Sequence, residues 1–112
     1  MPEPALRVLL DENVDRLLKP LFDPAFDVIT VQEHGWTGTT NGALLRSAAA
    51  AFDVFVTMDR NLPYQQNLEA FDLAVVVIRA RSNAFPHVEP LMPRVNRAVH
   101  TAQPGAAVAV EG

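Results

Sequence analysis

The chain has 112 residues, 49% hydrophobic and 20% charged, with no cysteine, a net charge of −4 and a pI ≈ 5.2. That length suits one domain over 1–112 with a single core, and the composition is that of an ordered chain. The missing cysteines exclude disulfides, thiolate zinc and cysteine nucleophiles; no run is long enough to span a membrane.

Taken in order, Met1-Pro2-Glu3-Pro4 has neither the basic nor the apolar segment of a signal peptide, so a cytoplasmic protein with no membrane partner is expected. Leu6 to Leu10 reads as the first strand. Asn13 is placed to cap a helix carrying Val14, Leu17, Leu18 and Leu21 at i, i+3, i+4, i+7, closed by Pro24. Asp27 to Val31 is the second strand, and Gln32 to Thr40, with Gly35 and Gly38, a loop. Asn41 is placed to cap a helix whose inner face holds Leu44, Leu45, Ala48 and Phe52. Asp53 to Thr57 is the third strand, Asp59 to Pro63 a turn, Tyr64 to Phe71 a short helix and Leu73 to Ile78 the fourth strand. After a loop at Ser82 to Pro86, Pro90 suits a first helical turn, and Leu91, Val95, Ala98, Val99 and Ala102 give the last helix its apolar stripe. Pro104-Gly105 turns the chain into a short, small-sided strand, Ala106 to Val110, expected at an edge. The order β-α-β-α-β-α-β-α-β predicts an α/β fold: a three-layer α/β/α domain on a mostly parallel five-stranded sheet.

Two of these strands end at acids. Leu9-Leu10 runs into Asp11-Glu12-Asn13, and Val56-Thr57 is followed by Asp59. Buried parallel strands deliver such residues to the carboxyl edge of the sheet, where ligands bind in open α/β folds. Helix capping explains one acid after a strand, and two adjacent acids less well. Clustered carboxylates repel one another unless a cation lies between them, and hard oxygen ligands suit Mg²⁺ or Mn²⁺. The expected site is therefore a divalent-metal centre of Asp11, Glu12 and Asp59 acting on a phosphodiester. An acidic chain is a poor bulk binder of nucleic acid, but a metal supplies positive charge at the scissile phosphate. Arg79, Arg81, Arg94 and Arg97 form a later basic stretch opposed only by Glu89, which marks a candidate nucleic-acid or partner face. Ser47 and Ser82 have no histidine placed to activate them, and His34, His87 and His100 share no metal-like spacing. A phospho-acceptor receiver domain would need a lysine after the last strand; Lys19 is the only lysine.

The segments Leu9-Leu10-Asp11-Glu12-Asn13, Val31-Gln32-Glu33-His34-Gly35-Trp36, Phe55-Val56-Thr57-Met58-Asp59-Arg60-Asn61, Tyr64-Gln65-Gln66-Asn67-Leu68 and Val75-Val76-Val77-Ile78 with Arg81-Ser82-Asn83 together resemble the PIN-like family of small bacterial proteins, in the branch related to toxin ribonucleases. The resemblance covers almost the whole chain. It implies a metal-dependent endoribonuclease, the toxin half of a toxin–antitoxin pair, with Asp11, Glu12 and Asp59 as catalytic and metal-binding acids. Asn13, Asn41, Thr57, Arg60, Asn61, Arg79 and Arg81 are the expected supporting or RNA-binding residues. The implied cofactor is Mg²⁺ or Mn²⁺, and the implied partners are RNA, an antitoxin protein and a second copy of the chain. The chain departs from the pattern at Asn41-Gly42-Ala43-Leu44-Leu45, where such nucleases usually carry a further acid, and at Asn61, where many use a carboxylate. The alternative is a degenerate PIN-like module that binds an antitoxin or another protein without catalysis.

Overall fold

The computed structural model describes residues 5–112; Met1 to Pro4, on which the signal-peptide reading falls, lie outside the described residues. Five strands make one sheet: β1 (Arg7–Leu10), β2 (Asp27–Thr30), β3 (Val54–Thr57), β4 (Ala74–Arg79) and β5 (Ala107–Glu111). Their order is β2-β1-β3-β4-β5, and every neighbouring pair is parallel. Helices α1 (Asn41–Ala51), α2 (Leu62–Gln65), α3 (Phe85–Val88) and α4 (Met92–Thr101) connect them, with 3₁₀ turns at Arg16–Leu21, Leu68–Ala70 and Glu89–Leu91. The expected three-layer α/β/α architecture is present, with the sheet fully parallel and β5 at its edge. Among the described residues no helix is long and apolar enough to cross a membrane.

The period-two alternation of strand side chains builds two cores, one on each sheet face. Val8, Leu10, Val54, Val56, Val76 and Ile78 pack with Leu18, Phe22, Val95 and Val99. Leu9, Phe55, Val75 and Val77 point the other way, onto Leu44, Leu45, Ala48 and Leu62 of α1 and α2. Coverage on both faces is why β3 and β4 read as unbroken apolar runs rather than as alternating ones. Each large side chain so buried contributes roughly 1.5–3 kcal/mol.

Three helical expectations are corrected. The helix predicted after β1 is a 3₁₀ segment capped by Asp15, whose carboxylate accepts the Leu17 N–H, and not by Asn13. Pro20 inside it lacks an N–H and would clash with the carbonyl of Arg16 in an α-helix. Leu17, expected on the apolar stripe, is therefore largely exposed. The Tyr64–Phe71 helix divides into α2 and the Leu68–Ala70 turn, because Gln66 and Asn67 are extended. The predicted Ser82–Pro86 loop already contains the start of α3, and the last helix begins at Met92, with Pro90 in the preceding 3₁₀ turn and Pro93 in its own first turn.

The strand order has a direct consequence for function. From β1 the chain crosses to β2 on one side, and β3 then pairs with β1 on the other. The connections leaving the carboxyl ends of β1 and β3 diverge to opposite sides, leaving the crevice in which ligands of open α/β sheets bind.

Candidate functional site

Asp11 is the residue after β1, and its N–H donates to the Val56 carbonyl at 2.9 Å, so its backbone is stitched to β3. Thr57, the last residue of β3, is fully buried. Its hydroxyl donates to Asp11 Oδ2 at 2.7 Å, accepts the Asp59 N–H at 3.0 Å and lies 3.4 Å from the Asn13 amide nitrogen as a second donor. One donor and two acceptor positions is the whole capacity of a hydroxyl. Thr57 therefore links the β1 acid to the β3 acid with nothing unsatisfied.

The two asparagines expected as caps serve this junction instead. Asn13 Oδ1 accepts the Met58 N–H at 3.1 Å, tying the loop after β1 to the loop after β3. Asn41 lies within the first turn of α1, and its amide donates to Asp59 Oδ2 at 3.3 Å. Thr40 occupies the N-cap position and gives no side-chain cap, so the positive end of α1 faces this region with its first N–H groups uncapped. Asp59 Oδ1 accepts the Asn61 N–H at 3.0 Å, the local turn that its Asp-x-Asn sequence favours.

Burial pushes the Asp11 carboxyl above the ordinary aspartate range, and the charges of Glu12 and Asp59 push the same way. Hydrogen bonds from the Thr57 hydroxyl and the Glu12 N–H oppose the shift without cancelling it. A carboxylate desolvated beside like charges holds a proton or a cation more readily than one in water.

Glu12 is oriented differently. Its Oε1 accepts the N–H of Gly38 in the loop before α1. Gly38 has φ +79, a left-handed conformation that suits glycine and presents this N–H. The same loop is held by Trp36, whose ring meets Phe52 edge-on, and His34 meets both rings edge-on. Among the described residues no three acids or histidines form a group able to hold a metal ion. What the switch point offers is a carboxylate pair, Asp11 and Asp59, with amides from Asn13 and Asn41 beside it. Mg²⁺ commonly takes one or two carboxylates and completes its octahedron with water and substrate phosphate, so the pair fits a partly hydrated ion and not a closed protein cage.

The arginines are elsewhere. Arg60 leaves the acid loop, and its Nη2 donates to the Ala80 carbonyl at 2.8 Å. Arg79 pairs with Glu111 at 2.8 Å across β4 and β5. Arg60, Arg79 and Arg81 line a separate cleft over the carboxyl ends of β4 and β5, together with His87. The sequence reading also missed two histidine contacts. His87 Nδ1 lies 2.6 Å from Ser82 Oγ, so that serine does have a histidine beside it. The same hydroxyl accepts the Ala84 N–H ahead of α3, which makes the pair a helix-entry turn, and a spacing of five across Pro86 conceals it. His100 Nε2 meets Asp23 Oδ2 at 2.9 Å, and its ring packs at a tilt against Phe26.

No family model, curated protein or solved structure matches this chain.

Proposed function

We propose that this protein is a metal-dependent endoribonuclease of PIN-like type, the toxin component of a toxin–antitoxin pair, with Asp11 and Asp59 at its catalytic centre. The observation that carries the reading is the Thr57 bridge, whose hydroxyl holds the Asp11 carboxylate and the Asp59 backbone N–H together where the loops after two adjacent strands meet. Building a desolvated acid beside a second acid is costly for a scaffold, and functional sites are where such costs concentrate.

The chemistry that bound Mg²⁺ or Mn²⁺ supplies is polarisation of a phosphate oxygen and acidification of water. Asp11 and Asp59 are the residues that would hold it. Thr57 and Asn13 set the orientation of Asp11 and its loop, and Asn41 and Asn61 that of Asp59. Glu12 contributes charge to Asp11 while holding the Gly38 loop against the crevice.

A second reading has its own support. The engagement of Glu12 by Gly38 leaves the centre one carboxylate short of the expected three, and the segment Asn41 to Leu45 supplies no further acid. A catalytically degenerate module that binds an antitoxin or another protein would tolerate that loss. Thermal melts in Mn²⁺ and cleavage of an RNA panel separate the two. The nuclease reading expects Mn²⁺ to raise the melting temperature by mass action, Asp11→Asn to remove that rise, and Mn²⁺-dependent cleavage in the wild type alone. No melting shift at millimolar Mn²⁺ and no cleavage would leave the binding module as the function.

A further inference from the structure

We propose that the cleft over the carboxyl ends of β4 and β5 is a phosphate-binding subsite that holds the backbone of a nucleic-acid strand beside the acid pair. The proposal rests on the nuclease reading for its ligand and on separate residues for its site. The cleft encloses about 530 Å³ and is lined by Arg60, Arg79, Arg81 and His87, with Glu111 as its acid. Three guanidiniums against one carboxylate leave a local excess of positive charge in a protein whose net charge is −4. Arg81 makes no ion pair among the described residues, and the Arg79–Glu111 pair is solvent-exposed on both sides, so both guanidiniums keep donors for a ligand.

Arg60 connects the cleft to the acids. It follows Asp59 directly in sequence, while its guanidinium reaches the Ala80 carbonyl in the cleft wall. A strand whose scissile phosphate sat at Asp59 would therefore have its neighbouring phosphates led toward Arg60 and then Arg79 and Arg81. Planar guanidiniums present paired donors that match phosphate oxygens. His87, turned toward Ser82 through Nδ1, keeps Nε2 for a further contact. The carboxylates at one end repel a polyanion and the arginines at the other attract it, which gives the crevice a polarity along the sheet edge.

The test is fluorescence anisotropy with a labelled single-stranded RNA in the absence of divalent ions, over a series of salt concentrations. Circular dichroism melts establish that each variant is folded. The wild type is expected to bind with a salt-dependent constant. Arg81→Ala and Arg79→Ala should each weaken binding several-fold and lower the slope of log K against log salt by about 0.7 per lost phosphate contact. Arg16→Ala, in the 3₁₀ segment after β1 and outside the cleft lining, should leave both unchanged, and Asp59→Asn should bind as well as the wild type or better. Folded cleft variants that bind like the wild type, or a wild type with no salt-dependent binding, would overturn the proposal. So would competition by a polyglutamate peptide of equal charge as effective as that by unlabelled RNA. Cleft-dependent binding without any Mn²⁺-dependent cleavage would support the subsite while removing the nuclease reading.

Discussion

The Thr57 hydroxyl donates to Asp11 Oδ2 at 2.7 Å from a fully buried position, so the acid after β1 is oriented by the last residue of β3. Thr57→Val keeps the shape and deletes the hydroxyl. Asp11 then loses a donor, and the Asp59 N–H and the Asn13 amide lose an acceptor. Unsatisfied buried polar groups cost about 1–3 kcal/mol. The expected result is destabilisation of that order in urea melts, with Thr57→Ser close to the wild type. A wild-type midpoint for Thr57→Val would show that the bridge carries no energy.

Asp59→Asn separates a site from a scaffold. It removes a like charge from beside Asp11, while the Asn61 N–H keeps an acceptor in the new amide oxygen and the Asn41 amide, turned over, accepts from the new NH2. Metal-free protein should be as stable as the wild type or slightly more so, with any RNA cleavage abolished. A structural cap would instead cost about 1 kcal/mol on removal. Destabilisation with cleavage intact would withdraw Asp59 from the catalytic assignment.

The raised proton affinity of Asp11 gives a pH signature. The folded state binds its proton more tightly than the unfolded state, so stability falls as pH rises from the ordinary aspartate range through the folded value. Asp59→Asn removes one of the causes and should make that fall smaller, though burial, the largest cause, remains. Denaturant melts from mildly acidic to neutral pH measure both slopes; equal slopes would show that the two acids do not sense each other.

Asp23 behaves in the opposite sense. The Ala25 N–H, and then His100, hold its carboxyl below the ordinary range. Its contribution is present above the unfolded aspartate value and lost as pH falls through the lower folded one. Asp23→Asn should flatten the acid limb of the stability curve and leave RNA binding untouched. An unchanged acid limb would show that the Asp23–His100 contact does not contribute.

How much of this was legible follows from where the forces lie. The strands were readable because both faces of the sheet are buried and their runs are nearly all apolar, as in Ala74 to Ile78. Alternation of elements implied a parallel sheet that delivers Asp11 and Asp59 to the same edge, and the strand order makes β1 and β3 neighbours. The 3₁₀ segment at Arg16–Leu21 was hidden because apolar spacing outweighed the single Pro20 that forbids an α-helix. Asn13 and Asn41 read as caps because capping is a local property, whereas their partners, Thr57, Met58 and Asp59, are 18 to 45 residues away. Arg60, Arg79 and Arg81 were expected together as RNA-binding residues, but that they line one cleft needed the register of β3, β4 and β5, which no local pattern contains.

The hydrogen bond from the Asp11 N–H to the Val56 carbonyl makes the acid's backbone one more rung of the ladder between β1 and the central strand β3. Amide protons in such a rung exchange with solvent only when the whole central sheet opens, whereas those of a loop exchange through local fluctuation. The Asp11 amide is therefore expected to exchange more slowly than that of Gly38, which holds Glu12 from a loop. A ligand entering the crevice would thus meet one wall anchored in the sheet ladder and one carried by a loop.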